Sequence, residues 1–369
     1  MAIAVQPYSE DRIPDVKEFN QRLAAGGIAP EFHFPESNVP HWLPKAAGRR
    51  IYQEYYLAVD RGDVHGGFIL KYQDFSLNGS TLPLAYYHLP VSEGIVNKAY
   101  ASVGVLMLRS AMKLNPMLFA LGMGGFDRPL PTMLKAMGWK LSAVPFYFRV
   151  QNPAAFLRQI APLRQSFGRR TLAAIAANTG IGWVAIKALH QLRTKAVGET
   201  RAESITSFGG WADDLWQECS PHYTLIADRS SPTLNILYPQ GKNFLCMRVM
   251  QGWETIGWAV VLDTQMRENK YFGNLRVGSV ADAIASPENS AAVVHAATRY
   301  LQERGVDLII CNHSHLAWGN AFRSLGYLEG PSNFIFAASK PLAAKLPPAE
   351  ATAHQAYFMR GDGDGPVNL

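Results

Sequence analysis

Apolar runs and alternating positions along the chain predict the same order of elements twice. The short stretch Ile3 to Val5 leads to EDRIPDVKEFNQRLAAGG, where Val16, Phe19 and Leu23 recur at helical spacing and Gly26-Gly27 stop the helix. Ile205-Thr206 leads in the same way to SFGGWADDLWQECS, with Phe208, Trp211, Leu215 and Trp216 at comparable spacing. Two stretches of strand character around a Gly-containing turn come next, EYYLAVDRGDVHGGFILKYQDF in one half and FLCMRVMQGWETIGWAVVLDT in the other. A third strand, LPLAYYHLPV or LRVGSVADAIA, then precedes a helix. The helix near Tyr100 to Lys113 is apolar nearly all round, which predicts deep burial, whereas AAVVHAATRYLQERG is amphipathic and closes on Gly305.

The ends of the two halves match best. PMLFALG and VDLIICN are continuous apolar runs, as expected of strands covered on both faces. Each leads to a short helix ending in small-Gly-aromatic, KAMGW at 135 to 139 and RSLGY at 323 to 327, and then to a closing strand, VPFYFRV or SNFIFAAS. Gly138 and Gly326 are 188 positions apart, so the repeating unit is a whole domain. A chain of 369 residues exceeds what one core usually supports, and 48% hydrophobic against 17% charged residues is a globular composition. We therefore expect an α/β (α+β) protein with two mixed-sheet domains in tandem, 1–150 and 203–340. A helical linker at 151–202 and a tail at 341–369 complete the division.

Charge changes this picture in one place. No Asp or Glu occurs from residue 128 through 198, and the segment holds Arg128, Lys135, Lys140, Arg149, Arg158, Arg164, Arg169, Arg170, Lys187, Arg193 and Lys195. The remainder of the chain carries 24 bases against 29 acids, so the net charge of +6 originates in the middle. Such a field attracts an anionic partner, a membrane surface or tRNA among them, or is simply a solvated linker face. The charge-free stretch from Thr171 through Ile186 is shorter than the ~20 apolar residues a spanning helix needs. It reads as short helices that bridge the domains or lie in a membrane interface. The first residues, MAIAVQPYSEDRIPDVKEF, lack the basic start and apolar run of a signal peptide, and Cys219, Cys246 and Cys311 form no paired spacing. A cytoplasmic protein is expected, with association to a membrane surface as the alternative left open by the basic segment.

No HExxH, GxSxG, P-loop or GxGxxG motif occurs. Cys311-x-His313-x-His315 has the residue types of a metal site, but Cys311 ends a buried strand whose alternate side chains point apart, so no metal is expected.

The strand-helix-strand order with its LGY-type ending resembles the GNAT acyltransferase superfamily over both halves. As a whole the chain is similar to tandem GNAT-like and Fem-like proteins encoded near bacterial polysaccharide genes. The resemblance implies transfer of an acyl group from a thioester, with acyl-CoA or an acyl carrier as co-substrate, to a small amine acceptor of envelope or polysaccharide metabolism. Two alternatives stay open: aminoacyl transfer from tRNA, and a non-catalytic double module. The family's Gly-rich pyrophosphate loop has no match in glycine spacing. Its positions fall on SEGIVNKAYASVG, giving Ser92, Gly94, Asn97, Lys98, Ala99 and Ala101 as cofactor-binding candidates, and on SPENSAAVV, where Glu288 would repel a pyrophosphate. The family's frequent acid, a tyrosine, is replaced by Leu134 and Phe322. For proton transfer there remain His88 and Glu93 at the end of the first central strand, Asp282 on the second, and His313 and His315 after the strand that follows. Asn312 and Phe322 are assigned to the acceptor side.

Overall fold

The computed structural model of the chain describes residues 3–37, 39, 40, 42–159, 198–347 and 355–363. The expected linker helices between 160 and 197, six of the eleven basic residues among them, lie outside the described residues. Five basic residues, Arg128, Lys135, Lys140, Arg149 and Arg158, are described. No helix among the described residues is long and apolar enough to cross a membrane.

In chain order the first half supplies β1 (Ala4–Pro7), α1 (Ile13–Ala25), β2 (Tyr52–Asp60), β3 (Asp63–Leu77), β4 (Ser80–Ser92), α2 (Val103–Leu114), β5 (Leu118–Met123), α3 (Pro129–Ala136) and β6 (Lys140–Ala143). Then come β7 (Phe146–Val150), α4 (Pro153–Gln159), β8 (Arg201–Ile205), α5 (Gly210–Cys219), β9 (Leu225–Ala227), α6 (Ser231–Leu237), β10 (Leu245–Gln251), β11 (Glu254–Gln265) and β12 (Arg276–Ala285). The chain continues through α7 (Ser290–Glu303), β13 (Leu308–Asn312), α8 (Leu316–Ser324), β14 (Leu328–Gly330), β15 (Phe334–Ala338) and α9 (Lys340–Ala343).

These strands form two mixed sheets of matching order. One runs β1-β2-β3-β4-β5-β15-β6 and the other β8-β10-β11-β12-β13-β7-β14. The duplication is therefore present strand for strand, with one difference from the sequence expectation: the closing strands are exchanged. β7, which ends the first half, pairs antiparallel with β13 (Phe148 opposite Ile310), and β15, which ends the second, pairs antiparallel with β5 (Ala337 opposite Ala120). The compact units are consequently discontinuous in sequence. One holds residues 1–76, 80–142 and 333–351, the other 77–79, 143–332 and 352–369. Periodicity identifies a strand and its buried face but carries no information on which of two similar edges it joins.

Each face of the first sheet has its own core. Val16, Phe19 and Leu23 of α1 cover Leu57, Val59 and Ile69, while Val103, Met107, Leu108 and Ala111 of α2 cover Tyr56, Phe68, Leu70 and Tyr87. α2 buries one face and exposes Arg109 and Leu114, so it is amphipathic, not surrounded as its composition predicts. Tight turns set the register of the hairpins. Arg61-Gly62 and Asn78-Gly79 take φ values of 52°, 100°, 50° and 80°, the left-handed pairs that match strand twist in two-residue turns.

Ala337 of β15 is fully buried beside Leu118 and Trp139 of the first half. Ala337→Asp is thus expected to lower the stability of the first unit by about 3 kcal/mol or more, by burying an unpaired charge. Hydrogen exchange followed on the β5 amides reads this directly, and unchanged protection there would contradict the exchange of strands.

Candidate functional site

Both sheets contain a parallel pair that parts. β4 and β5 are in register only at Ala85–Leu118 and Tyr86–Phe119, after which β4 runs on to Ser92. β12 and β13 pair at Val277–Leu308, Gly278–Ile309 and Ser279–Ile310, and β12 continues to Ala285. Each central strand is distorted just beyond the parting. Leu89 has φ 43°, and a register shift against Val260 and Val261 leaves Ala281 unmatched. Both positions lie four residues past the first paired residue, so the irregularity is duplicated with the fold. Strands that stop pairing leave backbone groups that need other partners. In the first sheet the Tyr86 hydroxyl reaches across to donate to Leu121 O at 3.0 Å.

The opening in the second sheet is filled by the chain's own tail. Tyr357 N donates to Leu225 O (2.7 Å), the Tyr357 hydroxyl to Ala283 O (2.6 Å), Phe358 N to Ser314 Oγ (2.8 Å) and Ser314 N to Phe358 O (3.1 Å). The tail thus bonds to β12 on one side and to the segment after β13 on the other. Beneath it Arg229, 1% exposed, donates from Nε (3.1 Å) and Nη2 (2.9 Å) to Asp282 Oδ1 and from Nη2 to Asp362 Oδ1 (2.9 Å). Its guanidinium lies 4.7 Å from the centroid of Tyr357. Asp282 also accepts from the Tyr238 hydroxyl (2.7 Å) and Ala283 N (2.9 Å), and Asp362 from Met359 N (2.7 Å). Gly361 is required here, since a Cβ would sit 2.9 Å from Asp282 Cβ and Cγ. Every charge in this buried group is answered, the condition for keeping it.

The second-half candidates therefore serve the seat of the tail. Asp282 is a 2% exposed carboxylate saturated by hydrogen bonds. His313 is fully buried, parallel to Trp318 at 5.0 Å and edge-on to Tyr357 at 4.5 Å, and its Nδ1 accepts from His315 N at 3.0 Å. Burial foremost, then the neighbouring His315 and Arg229, pushes its pKa well below the ordinary histidine value. His315 caps α8, accepting from Ala317 N at 3.3 Å. Asn312 Oδ1 accepts from Arg360 Nε at 3.3 Å. Phe322 is corrected from acceptor edge to core: it is fully buried and stacked on Tyr147 at 5.2 Å, because α8 turns Trp318 and Phe322, four apart, to the same inward face. Burial raises the pKa of the Cys311 thiol, and no group of three potential metal-binding side chains occurs among the described residues.

The first-half candidates have different surroundings. His88 is half-buried on β4 next to the distorted Leu89, with Nδ1 3.3 Å from the Tyr86 hydroxyl. Glu93 is corrected from proton carrier to anchor. It is 4% exposed, and its Oε2 accepts from Arg22 Nε (3.2 Å), Arg22 Nη2 (3.0 Å) and His65 Nδ1 (2.8 Å). Burial pushes the carboxyl up, but these donors outweigh it and hold the pKa below the usual carboxylate value. Ser92 Oγ accepts from Gly94 N (3.1 Å) and Asn97 Oδ1 from Ala99 N (3.1 Å), so both cap short turns of loop 92–101. Asn97, Lys98, Ala99, Ala101 and Ser102 are exposed, and the first turn of α2 contains no acid. The equivalent start of α7 differs in charge, since Glu288 stands just before it, while Ser290, like Val103 of α2, is buried.

Sequence reading missed Arg229, Tyr357 and Asp362. One signal existed, the apolar run Ala356-Tyr357-Phe358-Met359 in a tail otherwise rich in Ala, Pro and Gly. His65 and Arg22 gave none, being single polar residues in strand and helix.

No protein-family model and no curated protein sequence matches the chain. Solved structures do. Saccharomyces cerevisiae N-myristoyltransferase with bound myristoyl-CoA superposes with a TM-score of 0.54 at 9% identity, covering 92% of this chain and 79% of that one. The chain has a tandem GNAT-like fold. A probable N-acyltransferase from Enterococcus faecalis (TM-score 0.52, 8% identity, 94% of this chain and 74% of that one) has a similar fold. So does a GCN5-related N-acetyltransferase from Anabaena variabilis (0.51, 8%, 91% and 72%).

The depressed pKa of His313 has a stability consequence. The unfolded chain takes up a proton near pH 6.5 that the folded imidazole refuses, so stability is full above that pH and falls as pH drops from there toward the folded value. The slope attributable to this residue is at most about 1.4 kcal/mol per pH unit. Denaturant melts between pH 7.5 and 5 are expected to show a shallower loss in His313→Phe than in the parent; parallel curves would exclude this role. Arg229→Met leaves two buried carboxylates unpaired and is expected to cost about 3–5 kcal/mol in the same melts, while a neutral outcome would mean the tail is not seated as described.

Proposed function

We propose that the chain is an N-acyltransferase whose working site is in the first half, between β4 and β5, with acyl-CoA as donor. One observation carries this reading: the two halves share a fold and a distorted opening, but the second opening holds the chain's own tail. In the first half much of the loop after β4, up to Ser102 just ahead of α2, faces solvent. The first amides of α2 have no partner within the helix, no acid stands beside them, and Lys98 adds a cation. That combination suits the diphosphate of CoA. The second half, with Glu288 just before its helix, does not.

Acyl-CoA supplies an activated acyl group, its carbonyl accepting the amine and its thiolate leaving. The chain must remove a proton from the amine and hold the carbonyl. His88 is the group placed to take the proton, being half-buried on β4 at the distortion with Tyr86 beside it. The backbone at Leu89, turned out of the pleat, is placed to meet the carbonyl oxygen. Ser92, Gly94, Asn97, Lys98, Ala99 and Ala101 form the loop that faces the diphosphate, Lys98 as its cation. Glu93, Asp282, His313 and His315 hold structure and take no proton.

Thermal melts with a series of CoA thioesters, followed by thiol-release assays with amino acids and amino sugars as acceptors, test the reading. A ligand at a hundredfold excess over its Kd adds about 2.7 kcal/mol of stability, and His88→Ala is expected to lower kcat at least about a hundredfold while binding persists. Absence of any shift together with no thiol release would remove the proposal. Binding of tRNA that weakens steeply with salt would instead favour aminoacyl transfer.

A further inference from the structure

The base of loop 92–101 contains a polar cluster that the chemistry above does not use. Glu93 opens the loop and Tyr100 stands near its end, and one side chain touches both. His65 of β3, 5% exposed, donates from Nδ1 to Glu93 at 2.8 Å and lies flat on Tyr100, with ring centroids 3.8 Å apart and planes 16° from parallel. Arg22 of α1 holds the same carboxylate from the other side at 3.0 Å. The backbone closes round this anchor. Val96 N and Asn97 N donate to Glu93 O at 3.0 and 2.8 Å, and Gly94 approaches so closely that a Cβ would fall 2.6 Å from Tyr100 O. Val96 and Tyr100 pack on the two cores of the sheet, whereas Ile95, Asn97, Lys98, Ala99 and Ala101 are exposed.

The exposed middle of the loop is not shaped by burial, and the loop lacks the glycine spacing that would let its backbone wrap a phosphate unaided. Its shape is set by side chains. A buried ion pair adds little net stability compared with an apolar pair, but it fixes direction and register. Fixing the loop before the ligand arrives removes an ordering cost from binding.

We propose that His65 is a positioning residue for the acyl donor: by holding Glu93 and Tyr100 together it presets loop 92–101 and the first amides of α2 for the diphosphate. This rests on the reading of the loop as the donor cradle. His65 touches neither donor nor acceptor, so its removal acts on donor binding and leaves the transfer step intact.

The test uses the full chain with His65→Ala, His65→Asn and His65→Phe. Asn keeps a donor near the position of Nδ1 without the ring; Phe keeps the ring without the donor. KM for the CoA thioester is expected to rise about tenfold in His65→Ala, the loss of a hydrogen bond to a charged group, with kcat unchanged at saturation. Each single-function variant should recover part of the loss. Hydrogen exchange at the amides of residues 94 to 99 should accelerate most in His65→Ala and less in His65→Asn and His65→Phe. An unchanged KM in a folded His65→Ala, or a fall in kcat without a rise in KM, would overturn the inference. If His65→Ala does not fold, Tyr100→Leu removes the ring contact only and carries the expectation of Phe's complement, a raised KM with unchanged kcat. If the parent chain binds no CoA thioester, the donor-cradle reading fails, and exchange alone then decides the clamp: loop amides no faster in His65→Ala would end it.

Discussion

Two parallel strands that begin in register and then part impose the constraint on which the rest of this structure depends. Their backbone groups beyond the parting have lost their natural partners and must be met by something else. The two halves of the chain answer differently. In the first, a tyrosine hydroxyl spans from Tyr86 to Leu121, and the strand beyond it leads to a solvent-facing loop. In the second, residues 356 to 362 lie in the gap and bond to both sides. A duplicated fold has thereby acquired one half whose opening holds its own tail and one half whose opening does not.

The chemistry of the closed half follows from that choice. Once the tail is seated, Arg229 and its two aspartates are sealed from water, and each carboxylate needs a full set of donors. Tyr238, Ala283 and Met359 supply them. The same seat forces His313 to be neutral and Gly361 to be glycine. Residues that look catalytic by type are here the hydrogen-bonding floor of a peptide segment. In the open half the carboxylate of Glu93 is equally committed, but its partners Arg22 and His65 fix a loop and not a tail.

Much of the fold was legible in the sequence because it rests on local patterns. The paired order of strands and helices, the apolar strands Leu118–Met123 and Leu308–Asn312, and the small-Gly-aromatic turns at Gly138 and Gly326 all appear where periodicity places them. The exchange of β7 and β15 was not legible, since both are short, aromatic, apolar strands that suit either sheet. Of the candidate site, position in the repeat is what singles out the loop after β4 and His88 in the sequence. Glu93, Asp282 and His313 were found by residue type but given a different role, because a charge partner such as Arg229, 53 positions from Asp282, leaves no mark on spacing.

The exchanged strands also set an order in time. During synthesis β5 emerges with one edge unpaired, and β15, which covers that edge, follows more than 200 residues later. At ordinary elongation rates of roughly 5–20 residues per second the wait is on the order of 10–40 s. For that interval the first sheet exposes an apolar edge, with β7, a similar strand, as the nearest substitute. The first half is thus completed by a strand made after nearly all of the second, and neither half is a module that can be cut away and kept.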